Sequence, residues 1–165
     1  MKMFGRIFLF CILLVFVFSF SKVSGQFFSF KNPSEGEMAP DFKLSILDKD
    51  SVSFSEYRDG KRAIIFFWAT WCPHCRSALR DLNLKQDMIK KKQMKLVLVD
   101  IGESRAKVKA YFKKNDISLD VFLDEESSTA ELYAVSGIPS FYYIDTNGIV
   151  MTVNHDLPED FESLF

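Results

Sequence analysis

Cysteine, histidine, glycine and proline are all scarce in this chain: 3 Cys, 2 His, 7 Gly and 5 Pro among 165 residues. So few cysteines exclude a scaffold stapled by several disulfides. Two histidines leave little for a structural zinc site, which takes about four ligands. Low glycine and proline exclude a low-complexity chain, and an apolar fraction of 48% excludes a disordered one. There is no basic excess either. The net charge is −1, which makes a nucleic-acid partner a poor fit.

What the chain does have is phenylalanine, 18 in all, and a marked unevenness at its start. Residues 1–25 carry Lys2, Arg6 and Lys22 and no acid. Without those three, 18 basic side chains face 22 acidic ones in the remaining 140 residues, a net charge of −4. Ile7 to Phe20 is a run of 14 residues, all apolar except Ser19. Val23-Ser24-Gly25 supplies small or β-branched residues before Gln26. A positive start, an apolar run and a small-residue end make residues 1–25 a secretory signal peptide. The run falls short of the roughly 20 residues of a comfortable membrane span. An uncleaved N-terminal membrane anchor is the alternative. Either places the rest of the chain in a periplasmic or other extracytoplasmic space. Cys11 lies in this segment, so the exported part keeps only Cys72 and Cys75.

Residues 26–37 are polar and form a linker; residues 38–165 form one domain, large enough to bury roughly two-thirds of its unfolded surface. Phe42, Leu44 and Ile46 alternate with polar residues, as do Val52 and Phe54, and predict two half-buried strands around the turn Asp48-Lys49-Asp50. Ser55 to Arg58 forms one helical turn. The unbroken apolar run Ala63 to Ala69 predicts a central strand buried on both faces. From Cys75 the period changes, with Ala78, Leu79, Leu82, Met88 and Ile89 on one helical face and Lys90-Lys91-Lys92 at its end. Met94 to Ile101 is a second buried strand. Ser104 caps a helix with Val108, Tyr111 and Phe112 inward. Val121 to Leu123 is a short strand, and Ser128-Thr129-Ala130-Glu131 has capping-box spacing. Ser140 to Asp145, Asn147-Gly148 and Ile149 to Val153 predict a β-hairpin. Pro158 opens a last short helix. Helices alternating with buried strands predict an α/β layer fold with a parallel core.

Trp71-Cys72-Pro73-His74-Cys75 falls where the buried strand gives way to a helix. Cysteines at i and i+3 across a helix start are close enough to pair. Cys72 lies at the positive end of the helix, beside free backbone N–H groups that favour a thiolate. Cys75, one turn on, is the more buried, resolving thiol. Pro73 suits the first helical position, where its missing N–H costs nothing. An exposed attacking sulfur with a shielded second one is what exchange through a mixed disulfide requires. No cofactor and no metal are needed for it.

FFWATWCPHC, VSGIPSFYYID and the Asn147-Gly148 hairpin together resemble the thioredoxin superfamily. Ala39-Pro40-Asp41-Phe42 and the long interval from Cys75 to Pro139 resemble the TlpA/ResA-like, redoxin-related branch of exported thiol–disulfide oxidoreductases. The resemblance covers about residues 37–155. It implies a thioredoxin-like fold: a central mixed sheet with flanking helices, an N-terminal β-hairpin, and an inserted strand and helix around residues 119–134. It implies Cys72 as nucleophile, Cys75 as resolving thiol and Pro139 as a cis-proline packed against them. It also implies that the Ile138 backbone binds an extended substrate strand and that Trp71 shields the disulfide. Its substrates would be thiols or disulfides of exported proteins, and a membrane or soluble redox partner would recharge the site. Two positions depart from the family. Phe66 and Ala78 stand where carboxylate proton shuttles are usual, which leaves His74, water, Glu37, Asp41 or Asp100. Pro73-His74 is the dipeptide of DsbA-type oxidases, and an imidazolium there would make the couple more oxidising than thioredoxin.

Two rival functions compete. A peroxiredoxin-like peroxidase needs a Pro seven and a Thr or Ser three residues before its cysteine, and those positions hold Ile65 and Ala69. A copper or other soft-metal carrier would use Cys72, Cys75 and His74 or His155.

Overall fold

The protein is described by a computed structural model covering residues 33 and 35–164. The segment 1–25 and the first part of the linker lie outside the described residues. No helix among the described residues is long and apolar enough to cross a membrane.

Seven strands form one mixed sheet. In chain order the elements are β1 (Lys43–Ile46), β2 (Ser51–Ser53), α1 (Phe54–Arg58), β3 (Ala63–Trp68), α2 (Pro73–Lys91), β4 (Lys95–Ile101), α3 (Arg105–Lys114), β5 (Val121–Asp124), α4 (Ser128–Leu132), β6 (Ser140–Ile144) and β7 (Val150–Asn154). A 3₁₀ turn, Phe161–Leu164, stands where a helix after Pro158 is expected. Across the sheet the order is β2-β1-β5-β4-β3-β6-β7. β3 pairs parallel with β4, and β4 with β5. The remaining pairings are antiparallel. The N-terminal hairpin is β1–β2. The inserted strand and helix are β5 and α4, and β5 joins β1 to the parallel core.

β3 is central, and all six of its residues are buried. That is why its sequence is apolar without alternation: each face meets a different layer. Ile64, Phe66 and Trp68 face α2 and α3, against Cys75, Leu79, Leu82, Val108 and Phe112. Ala63, Ile65 and Phe67 face the other layer, with Phe42, Phe54, Phe122, Tyr133 and Tyr142. Aromatic rings fill both sides. Phe66 stacks on Phe141 at 4.4 Å, and Tyr133 meets Tyr142 edge-on at 5.1 Å.

Four local expectations are corrected. Phe54 does not extend β2; it opens α1, because Ser53 and Glu56 form a reciprocal capping box there. Ser128 to Glu131 form no capping box. Ser127 takes the cap position in the left-handed region without a side-chain bond, and the Asp124 carboxylate accepts from the N–H groups of Thr129 (3.1 Å) and Ala130 (2.8 Å) instead. Ser104 sits at the cap of α3 but its hydroxyl makes no cap bond. The β6–β7 connection is longer than a two-residue Asn-Gly turn. Asp145 Oδ1 accepts from the N–H groups of Asn147 (2.9 Å) and Ile149 (2.8 Å), and only Gly148 takes positive φ, at +90°. Residues 35–38 run along β7. Gly36 N–H donates to Val150 O at 2.8 Å, and Val150 N–H to Glu37 O at 2.9 Å.

Candidate active site

β3 ends at Trp68, and Ala69-Thr70-Trp71 turns the chain into α2. Cys72 is the cap residue of α2 and Pro73 its first residue. This places both sulfurs at the helix entrance, and they form a disulfide with Cα atoms 5.2 Å apart. The Cys75 N–H donates to Cys72 Sγ at 3.1 Å. It is one of the amides a helix start leaves without an intrahelical partner. The same bond would serve a thiolate on Cys72. The two cysteines differ less in exposure than their sequence positions suggest, at 4% for Cys72 and 0% for Cys75.

Ile138–Pro139 is a cis peptide bond. Its loop lies against the disulfide, with the Ile138 carbonyl oxygen 3.8 Å from Cys72 Sγ. Trp71 is 64% exposed and His74 is also at the surface. The site is thus a sulfur pair beneath a cis-proline loop, flanked by an open aromatic and an exposed imidazole. A cavity of about 570 Å³ lies at the other end of the sheet around Ile89, Lys95 and Leu119, away from this chemistry.

A family model, AhpC/TSA, matches residues 36–153. The chain belongs to the AhpC/TSA family. It is 27% identical over 135 residues to the thiol-disulfide oxidoreductase ResA of Geobacillus thermodenitrificans (strain NG80-2), covering 78% of this chain and 77% of that protein. It is 29% identical over 120 residues to ResA of Bacillus subtilis (strain 168), covering 73% and 66%. Among solved structures, a thiol:disulfide interchange protein of the thioredoxin family from Chlorobium tepidum TLS matches with a TM-score of 0.64 at 28% identity, over 81% of this chain and 94% of that one. The fold is thioredoxin-like, as the sequence resemblance implied.

Behind the sulfurs this family member carries acids that sequence reading undervalued. Glu103, buried just after β4, accepts from Thr70 N–H (2.5 Å) and Thr70 Oγ1 (2.8 Å), 33 residues away in sequence. It also pairs with Lys107 at 2.5 Å. Burial works against its charge, but Lys107 and Thr70 outweigh it and hold the carboxyl below the usual range. Glu103 therefore clamps the turn that presents Cys72. Asp100 is not a solvated loop carboxylate. It lies in β4, in register with Trp68 of β3, and is fully buried. Among the described residues neither of its oxygens meets a hydrogen-bond donor, and the Trp68 indole N–H meets no acceptor. Burial, with the Glu103 carboxylate beside it, pushes the Asp100 pKa up to about 8. Asp41 accepts from Ser55 N–H and Oγ at the start of α1, and Glu37 runs along β7.

His155 joins the site from the end of β7. Its Nδ1 lies 3.0 Å from Pro139 O and 3.2 Å from Ser140 Oγ, while Ser140 Oγ donates to Gly137 O at 2.7 Å. These bonds tie the loop around Pro139 to the sheet. Among the described residues no group of three or more His, Cys, Asp or Glu is arranged to hold a metal ion. At the positions where a peroxidase would need Pro and Thr or Ser, Ile65 and Ala69 are both fully buried.

Proposed function

We propose that this protein is an exported thiol–disulfide oxidoreductase working through Cys72 and Cys75 on exported proteins. The observation that carries it is a disulfide at a strand-to-helix junction, with one sulfur receiving a helix-start N–H and lying against a cis-proline loop. In the reducing direction the Cys72 thiolate attacks a substrate disulfide. One substrate sulfur leaves with the bonding pair and takes a proton, and the other stays bonded to Cys72. Cys75 then gives up its proton, and its thiolate attacks Cys72 Sγ. The second substrate thiolate departs, and the protein is left with the Cys72–Cys75 bond. Two electrons have passed to the substrate; running the steps backwards oxidises a dithiol.

Ile138 and Pro139 supply the backbone edge for an extended substrate segment, in the manner of β-augmentation, and exposed Trp71 supplies an apolar contact beside it. Pro73 fixes the helix start. A cationic imidazole at His74 would favour the Cys72 thiolate and make the couple more oxidising than the roughly −270 mV of thioredoxin. Residues 1–25 direct export, as a cleaved signal or a retained membrane anchor, and residues 38–165 form the catalytic domain. A second redox protein, soluble or in the membrane, recharges the pair.

Trapping tests this. With Cys75→Ala, the client stays attached to Cys72 as a mixed disulfide that mass spectrometry identifies. Cys72→Ala traps nothing. Equal capture by the two variants, or none by the first, overturns the assignment. Unaided peroxide consumption by the reduced protein would favour the peroxidase reading instead, and tight stoichiometric metal uptake without exchange activity the carrier reading.

A further inference from the structure

A groove of about 340 Å³ begins at Thr70, two residues before Cys72, and runs between α2 and α3. Arg76 and Arg80 line it from α2, one helical turn apart, and Tyr111 and Lys114 line it from the last turn of α3, with Asn115 at the cap that follows. It therefore holds three cations and no acid. None of the three forms an ion pair among the described residues. Acids outnumber bases in the chain, and Lys49, Lys61, Lys107 and Lys109 each meet a carboxylate, whereas the lining of this groove brings three cations together with no acid among them. Both guanidinium groups act electrostatically on the Tyr111 hydroxyl, so their charge converges on the groove. Positive charge left uncompensated in a concave surface is a standing attraction for an anion.

We propose that this groove is a subsite for acidic residues next to the reacting cysteine of a protein substrate. The proposal rests on the thiol–disulfide exchange function proposed above and names a substrate feature for it. From Cys72 to Arg80 the helix rises about 12 Å. An extended peptide covers that distance in about four residues. The groove thus reads Asp or Glu within about four positions of the substrate cysteine, on the side of Cys72 that faces α3.

Two measurements test it. The probes are short peptides with one cysteine, blocked as the mixed disulfide with mercaptoethanol, and flanked by three Asp or by three Lys. Equilibrium binding of each to the oxidised protein reads the groove without any turnover. Reduction of the neutral hydroxyethyl disulfide reads the exchange chemistry without the groove. Three exposed ion pairs, each contributing about twofold, favour the Asp peptide by about tenfold at low salt. The preference fades as salt shortens the screening length. Arg80→Glu with Lys114→Glu reverses the order of the two peptides, Arg80→Gln with Lys114→Gln abolishes the difference, and both variants reduce hydroxyethyl disulfide at the parent rate. Equal binding of the two peptides to the parent protein overturns the proposal. So does an Asp preference that survives the charge reversal. Failure to reduce hydroxyethyl disulfide counts against the exchange function, and the binding result still decides the groove.

Discussion

Asp100 offers the sharpest test of how the site is built. A carboxyl buried in β4 beside the Glu103 carboxylate keeps its proton well above the pH at which a solvated one loses it, here to about 8 from an ordinary 3.8. Below about pH 4 the folded and unfolded chains both hold that proton, and stability is unaffected. Between about pH 4 and 8 only the folded chain holds it. Folding must then take up a proton, and stability is lost by about 1.36 kcal/mol per pH unit. The loss reaches about 5 kcal/mol at pH 8 and is constant beyond, an upper figure because Glu103 shares the site and its depressed pKa acts in the opposite sense. Asp100→Asn keeps the shape and removes the titration. Its unfolding free energy relative to the parent should rise by about 2–3 kcal/mol from pH 5 to pH 7, measured by urea unfolding with the disulfide intact. The absolute offset depends on how the new amide is accommodated; the slope does not. Parallel stability profiles for the two proteins over that range would refute the claim that Asp100 is protonated at neutral pH.

The proton also bears on the chemistry. An ionised Asp100 beside Glu103 would set a second negative charge against the carboxylate that clamps Thr70, at the turn leading into Cys72. One charge and one proton shared by a pair of buried carboxyls is the state that burial penalises least.

Two further outcomes follow from named contacts. His155→Phe removes the Nδ1 partner of Pro139 O and Ser140 Oγ; one such bond contributes about 1–1.5 kcal/mol, so kcat/KM for a protein disulfide should fall by about tenfold while the Cys72–Cys75 potential stays within a few millivolts. A shifted potential with unchanged kcat/KM would place His155 in a different role. Phe66→Ala opens a cavity under the stacked Phe141 ring and should cost about 3–5 kcal/mol in denaturant unfolding; a loss below about 1 kcal/mol would mean that the face between β3 and α2 is not packed as described.

How far the sequence speaks depends on whether a feature is local. The apolar run of β3, the change of period at α2 and the Cys-Pro-His-Cys motif at their junction are each written in consecutive residues, because burial on two faces, helical amphipathicity and a helix start impose short periods on the chain. The cis peptide before Pro139 was legible only through family resemblance, since the dipeptide alone does not favour it. The misread caps have a related cause. Ser128 to Glu131 has the right spacing for a capping box, but a carboxylate at the end of β5 reaches the same amides first, and the choice between them is made by where the strand ends. The capping box of Ser53 and Glu56 is masked in the sequence because Val52 and Phe54 also fit a strand's alternation.

By itself, the sequence determined the layered α/β architecture, the redox pair and the position of that pair at a strand-to-helix junction. Only the tertiary structure decided which polar groups support it: Glu103 on Thr70, Asp100 buried beside Glu103, His155 on the proline loop, and three cations gathered beside Thr70. These groups come from separate elements, and a side chain's solvation and charge partners are set by what the folded chain brings next to it. No periodicity along the sequence encodes such a meeting.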